Sequence, residues 1–577
     1  MKALILKLGL IVIYVMINIS TQAQAPFVIE LVKDINPTGD SRCGGFLELN
    51  GLVYFVADDG VHGTELWVSD GTEMGTYMVK DINPSDKGNI FDFQVLNGKL
   101  LFKAVDALHG GEWWVSDGTE AGTTLLKDIN TLPPPSFESS TSIISIGMYN
   151  NELYFTANDG IHGLETWKTD GTTAGTQMVA DLSPVPWSMA VAGSIIQING
   201  MEYHDKFYYM ANDSVHGFEL WVLDSTNATP RMLKDIYPGE EDSRPFFLAV
   251  YNDVLLFRAT DTNGPELWVT DGTAQGTQLM ADIVTGPSGN IDQGSKPFGP
   301  LVYKDWLYFG TSIPGVGRHF LYRTQGVVGD PEEVILNSQP IWTGNGRSYV
   351  YNDKLYFNGY TDSTATELWC YTGSPGSDSL LIDIDTSTIW SFGGTLSSSP
   401  SHFFEFKEHL FFKAFVYSGF GNQIWVTNKE HDWFTYLTSN TTMMYDQSGF
   451  ADKLIMGDYV YFQGNHDGYG EELWRIRYDS TLLGTGNDLV YLNKTLKAFP
   501  NPSKEGEVQL SFTLPESGTY SIRVYNLSGQ VVRTVPEQSG LAGENILEMD
   551  LENLNSGVYI IELRSKSSFG QIKFVQM

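Results

Sequence analysis

Residues Asn50–Pro84 read NGLVYFVADDGVHGTELWVSDGTEMGTYMVKDINP, and this stretch decides the fold. With Phe46–Leu49 just upstream, it holds strand-like runs at Leu52–Ala57, Glu65–Ser69 and Tyr77–Asp81. Each is rich in aromatic or β-branched residues and is bounded by Gly, Asn or Asp. Asn50-Gly51 suits a type I′ hairpin turn, in which both central residues need positive φ. Comparable pairs follow at Asn97-Gly98, Asn150-Asn151, Asn252-Asp253 and Asn352-Asp353. Helical periodicity is absent, so the chain is expected to be all-β.

The stretch is one copy of a repeat. Trp67 has counterparts at Trp114, Trp167, Trp221, Trp268, Tyr322, Trp369, Trp425 and Trp474, spaced 47 to 56 residues apart. Four antiparallel strands about every 50 residues are the signature of propeller blades. Residues 26–477 are therefore expected to form a single large β-propeller of nine four-stranded units, in eight or nine blades. Phe27–Pro37 matches the fourth strand of a unit, as in Tyr77–Pro84, and the last unit lacks a convincing fourth strand after Glu472–Arg477. The N-terminal strand is expected to complete the last blade, which would remove exposed sheet edges.

The bulk numbers fit an extended repeat rather than one core. The chain has 577 residues, beyond the roughly 250–300 at which single cores stop growing. Its net charge of −34 repels phosphate backbones, so nucleic acid is not expected as a partner. The two cysteines, Cys43 and Cys370, sit at non-equivalent repeat positions; two unpaired side chains is the simpler reading, with a disulfide left open.

Residues 1–23, MKALILKLGLIVIYVMINISTQA, have the three parts of a secretory signal: basic Lys2 and Lys7, an apolar run from Leu8 to Ile17, and a small-x-small site ending at Ala23. Cleavage is expected between Ala23 and Gln24. The apolar run is short for a membrane span, and no later segment is long and apolar enough to make one, so no transmembrane segment is expected in the processed chain.

Within the repeats, ELWVSDGTEMGT (Glu65–Thr76), EWWVSDGTEAGT (Glu112–Thr123), ETWKTDGTTAGT (Glu165–Thr176) and ELWVTDGTAQGT (Glu266–Thr277) share the pattern ELWxxDGTxxGT. The pattern resembles a repeat family of exported Bacteroidetes-type proteins; the resemblance implies a repeat and a compartment, not an activity. The Trp is read as an apolar wedge between blades. Asp70, Asp117, Asp170 and Asp271 are read as turn formers that bond the backbone two residues on, and Gly75, Gly122, Gly175 and Gly276 as allowing a second tight bend. Upstream, Asp59, His62 and Glu65 recur as Asp159, His162 and Glu165. These are metal-ligand types, and hard carboxylates suit Ca²⁺. The pattern lacks the acid density of a calcium loop, and turn chemistry explains it more simply. No other cofactor is implied.

Residues 478–497 read as a linker and 498–577 as a separate domain. Pro500-Asn501-Pro502, Gly518-Thr519-Tyr520, Val524-Tyr525-Asn526-Leu527-Ser528-Gly529-Gln530, Leu554-Asn555-Ser556-Gly557-Val558-Tyr559 and Lys573-Phe574-Val575 occur in order. This run resembles the type A C-terminal sorting domain of the type IX (Por) secretion system. Alternating segments at Val508–Leu514, Thr519–Tyr525, Gln530–Val535, Ile546–Leu551, Gly557–Leu563 and Gln571–Val575 predict a small immunoglobulin-like sandwich. The resemblance implies secretion machinery and a sorting peptidase as partners, and a product released or held at the outer surface.

Activity is left open. The sequence has no GxSxG, HExxH or P-loop, and VSDGT falls short of the ordered SxDxGxxW turn of sialidases. The leading expectation is a non-catalytic binding or adhesion propeller for a protein or glycan ligand. A carbohydrate-active hydrolase or lyase on the same fold, and a purely structural spacer, are the alternatives.

Overall fold

Alternation of aromatic and β-branched residues between Gly, Asn and Asp clusters leaves little choice but short antiparallel strands, and every regular element among the described residues is a strand. The computed structural model describes residues 25–479 and 490–576, less 85–87, 132–142, 184–198, 226, 285–293, 313–318, 343–347, 364, 385–396, 417–420, 432–433, 438–451, 466–468, 492–495, 500–502, 504–506, 515–516, 527–530, 552–553 and 566–567. The signal segment and the Ala23–Gln24 cleavage position therefore lie outside the described residues. The chain divides into two units, one formed by Ile29–Lys429 with Tyr436–Arg477, the other mainly by Tyr478–Met577.

In the larger unit four-stranded antiparallel sheets recur along the chain. Sheet one consists of Gly44–Leu49, Leu52–Asp58, Thr64–Ser69 and Tyr77–Lys80, hydrogen-bonded in that order. Its strands lie within a residue or two of the expected runs. Sheets two to eight follow the same order in sequence, each starting where the previous fourth strand ends. Sheet seven has five strands, because both Gln339–Trp342 and Ser348–Tyr351 pair with Lys354–Thr361. Sheet nine is assembled from Lys453–Met456, Tyr459–Asn465 and Glu471–Tyr478, with the N-terminal strand Phe27–Lys33 as its fourth member.

The turns obey the stereochemistry that the sequence asks for. Asn50 and Gly51 have φ of 54° and 78°, and the four other Asn-containing pairs are also left-handed. The same geometry recurs at His204-Asp205 and Lys304-Asp305, where His and Asp tolerate it, and is imposed on Lys407-Glu408, residues with no preference for it. The third strand is bulged at the repeated Trp: pairing with the fourth strand shifts between Leu66 and Trp67, Thr166 and Trp167, Leu267 and Trp268, and Leu368 and Trp369.

Successive sheets share their cores. Trp114 packs with Tyr54 and Leu66 of sheet one, Trp167 with Leu101 and Trp113 of sheet two, and Trp268 with Tyr208 and Leu220 of sheet four. Trp67 of sheet one lies against Tyr461 and Leu473 of sheet nine. Truncating one such wedge costs about 3–5 kcal/mol. Lysines staple the same seams: Lys80 Nζ donates to Thr123 O at 2.9 Å, Lys127 to Thr176 O at 2.6 Å and Lys234 to Thr277 O at 2.6 Å. Lys33 of the N-terminal strand does this for Thr76 O at 2.8 Å, so sheet nine is joined to sheet one as sheets one, two and four are to the sheets that follow them. Cys43 and Cys370 are both buried free thiols.

The smaller unit has two sheets. One runs in the order Val490–Tyr491, Ser568–Gln576, Gly557–Ser565, Gly518–Asn526, Val531–Gly540; the other is Lys497–Phe499, Glu507–Leu514, Gly543–Asp550. Val490–Tyr491, within the stretch read as a linker, pairs in parallel with Ser568 and Phe569. Both sheets feed one apolar cluster, with Leu510 and Phe512 from one and Ile522, Val524, Ile561, Leu563 and Phe574 from the other.

Candidate functional site

Each repeat has two ends with different chemistry. In four repeats one end carries the DGT turn. Asp70 Oδ1 accepts from the Thr72 amide at 2.8 Å and from the Thr72 hydroxyl at 2.7 Å, and the Gly75 amide donates to that hydroxyl at 3.0 Å. Asp117, Asp170 and Asp271 repeat this arrangement. The Thr72 hydroxyl and amide hold the Asp70 carboxyl below its usual range. Gly71 has φ of 89°, the left-handed geometry expected of it. Gly75 is needed for a different reason from the bend read in the sequence: a Cβ there would fall 2.0 Å from Asp70 Oδ1. The carboxylate occupies the space that a side chain would take.

The other end is formed by the hairpin between strands two and three and by the connection from one sheet to the next. The Asp58 amide donates to Ser41 O at 2.8 Å, and Thr260 does the same to Ser243 O at 2.7 Å. The metal-ligand candidates sit here, and the structure separates them. Asp59 Oδ1 accepts from the Val61 and His62 amides, both at 2.9 Å, while Oδ2 lies 2.8 Å from His62 Nδ1. Asp159 and His162 repeat this clamp. Burial alone would raise the Asp59 carboxyl, but the His62 and Val61 bonds outweigh it and hold it low; the same bond raises the His62 imidazole. Glu65 is fully buried and accepts from the Ile82 amide at 3.0 Å. Glu165, also buried, accepts from Leu182 and Ser183. Among the described residues no group of three or more His, Cys, Asp or Glu is placed to hold a metal ion.

The buried glutamate is the feature that motif reading missed. Two residues before the aromatic position, Glu65, Glu112, Glu165, Glu219, Glu266, Glu367 and Glu472 are all buried. Each accepts backbone amides from the chain leaving its own fourth strand: Glu112 from Ile129 and Asn130, Glu472 from Ile35 and Asn36 of the N-terminal segment. In three repeats a serine hydroxyl joins them, Ser243 to Glu219 at 2.7 Å, Ser295 to Glu266 and Ser398 to Glu367 both at 2.5 Å. Burial pushes Glu65, Glu165, Glu219, Glu367 and Glu472 up to about 7 and Glu112 to about 8, against the pull of these amides. A buried acid near neutrality usually marks a general acid. Here a buried, upshifted glutamate recurs in seven sheets on equivalent backbone donors, which is a structural pattern.

Around these closed loops the hairpin tips are apolar. Val61, Leu108, Ile161 and Val215 occupy equivalent tips of sheets one to four and are 79%, 75%, 67% and 60% exposed. In the smaller unit, Tyr520 and Phe574 are buried, Tyr525 Oη donates to Glu562 at 3.2 Å, and Asn526 pairs with Tyr559. Tyr559 Oη closes the turn before Gly557 by donating to Asn555 O at 2.8 Å, and Lys573 pairs with Ile560. Pro500, Asn501, Pro502, Gly529 and Gln530 lie outside the described residues.

Residues 497–576 match the secretion system C-terminal sorting domain family. This part of the chain is such a domain, and it marks the protein as one delivered by type IX secretion to the outside or the outer surface. No curated protein matches the chain. Among solved structures, a GH74 xyloglucanase from Xanthomonas campestris aligns over 96% of this chain and 94% of its own, at 12% identity and a TM-score of 0.33. The β-propeller domain of the Trilobed protease from Pyrococcus furiosus aligns over 59% and 97%, at 13% identity and a TM-score of 0.28. PorZ, a surface component of the type IX secretion system of Porphyromonas gingivalis, aligns over 95% and 99%, at 10% identity and a TM-score of 0.18. Among the described residues no helix is long and apolar enough to cross a membrane.

Proposed function

We propose that the larger unit is a nine-bladed propeller closed by the N-terminal strand, and that it works as a non-catalytic binding or adhesion module displayed by the type IX route. The signal at residues 1–23 takes the chain to the periplasm. The immunoglobulin-like sorting domain then passes it to the outer-membrane machinery and is removed there by the sorting peptidase. The four exposed aliphatic tips carry the binding reading. A lone exposed Val or Leu needs no explanation, but equivalent ones on four successive sheets make a repeated contact surface. The buried glutamates support the same reading, since the groups best tuned for acid chemistry are engaged in closing loops.

An array of glycans and extracellular proteins, probed with the secreted protein, tests this. Specific capture that is lost when Val61, Leu108, Ile161 and Val215 are all changed to Ser is the expected result. Turnover of any arrayed glycan, with binding untouched by those changes, favours a hydrolase or lyase instead.

A further inference from the structure

One cleft departs from the repeat. It has a volume of about 360 Å³ and lies beside sheet five, at the connections from sheet four and to sheet six. Arg258 lines it from the second strand of that sheet. The guanidinium carbon stands 5.2 Å from the centre of the Phe246 ring, and the side chain makes no hydrogen bond or ion pair with another described residue. The equivalent position in sheet two shows what a cation there normally does: Lys103, over the equivalent Phe91, donates to Ile143 O. Arg258 keeps its planar donor fork for something else. A half-buried guanidinium without an acceptor has lost part of its hydration and gained no hydrogen bond in exchange.

Two further cations reach the cleft from matching loop positions. Arg244 and Lys296 follow Ser243 and Ser295, which close on the buried glutamates. Both have left-handed backbones, with φ of 47° and 45°, fixed by amide bonds to Phe218 O and Pro265 O at 3.0 Å. The Arg244 charge is balanced by Asp242, at 2.8 Å. Glu240 and Glu241 stand exposed at the rim. Cations within and carboxylates at the mouth repel a polyanion, yet they suit a single negative charge on a molecule with hydroxyls for the rim to accept from. The volume fits a sugar-sized ligand.

We propose that this cleft binds an acidic sugar of the uronic-acid class, its carboxylate taken by the fork of Arg258 with Lys296 beside it and its hydroxyls facing Glu240 and Glu241. The assignment deepens the binding reading above and rests on it. Calorimetric titration of the full secreted protein with galacturonate, its methyl ester, glucose and sulfate provides the test. Saturable galacturonate binding is expected, at least 10-fold tighter than that of the ester or glucose, and weakened at least 10-fold by Arg258→Met. Equal binding of the ester, or sulfate competing as well as the sugar, overturns the proposal; both are read on the unaltered protein, whatever the variant's folding. Array capture that survives Arg258→Met, with no galacturonate binding, overturns this site and leaves the binding propeller standing. Capture of nothing by any surface defeats both.

Discussion

The two units are built from similar strands, but they treat charge in opposite ways. In the repeats a glutamate side chain is buried under seven of the sheets and accepts backbone amides, while one oxygen of Glu65 and one of Glu112 have no hydrogen-bond partner among the described residues. In the sorting domain the core is Leu, Val, Ile, Phe, Tyr and Met, and the buried polar residues among the described ones, Ser503 and Gln576, carry no charge. A repeat of about 50 residues buries too little apolar surface to fix its own loops, so an ionisable anchor is worth its desolvation. A sandwich whose two sheets share one core needs no such anchor.

This contrast can be broken first by pH. Burial raises all seven glutamates above the usual 4.5, Glu65, Glu165, Glu219, Glu367 and Glu472 to about 7 and Glu112 to about 8, with Glu266 moved in the same direction. Their stabilisation is therefore complete below about pH 4.5 and is lost as pH rises through 7 to 8. The raised imidazoles of His62, His162 and His216 act in the same direction above 6.5. Calorimetry should show the repeat transition falling by about 10 °C between pH 5 and pH 8, on the order of 1 kcal/mol per glutamate, while the sorting-domain transition stays put. Glu112→Gln should flatten that slope. Parallel movement of both transitions would dissolve the contrast.

Next in size is Trp67→Ala, expected to cost the repeats about 3–5 kcal/mol and the sorting domain nothing. Denaturant unfolding followed by near-UV dichroism reads both. The DGT turn sharpens the comparison further. Gly75→Ala should cost about 1–3 kcal/mol by forcing the Asp70 carboxylate out, and Asp70→Ala about 1 kcal/mol. In the double variant the penalties should fall short of their sum, since removing the carboxylate makes room for the methyl group. The smallest effect belongs to Val61→Ser, expected within 0.5 kcal/mol of the parent in thermal melts, as its exposure implies.

Much of the all-β order was legible because local chemistry enforces it: Asn-Gly needs left-handed turns, Asp-Gly-Thr folds onto itself, and Trp67 and its counterparts recur at a fixed offset. The partner of the N-terminal strand was legible too, because Lys33-Asp34-Ile35-Asn36-Pro37 repeats Lys80-Asp81-Ile82-Asn83-Pro84. The role of Glu65 was not. Beside His62 and Asp59 it read as part of a turn, with metal ligation as the lesser alternative, yet a strand sends successive side chains to opposite faces, and Glu65 points inward to a loop 17 residues on. Ser243, Ser295 and Ser398 carry no motif, and their distance from the glutamates they meet, 24 to 31 residues, varies with loop length. Lys407-Glu408 turns as Asn-Gly does only because the flanking strands demand it. Arg258 was invisible because its meaning lies in a missing partner.

The bond from the Ile35 amide to Glu472 spans 437 residues. The strand Phe27–Lys33 is therefore synthesised long before the strand it pairs with, and acquires that neighbour late. Until Glu471–Tyr478 has been made, Phe27–Lys33 lacks its partner strand, and the loop that this pairing closes is nearly the whole length of the repeats. A circular permutant that moves residues 26–37 to follow residue 477 would turn that late, distant pairing into a local hairpin and should speed the final folding step without altering the finished molecule.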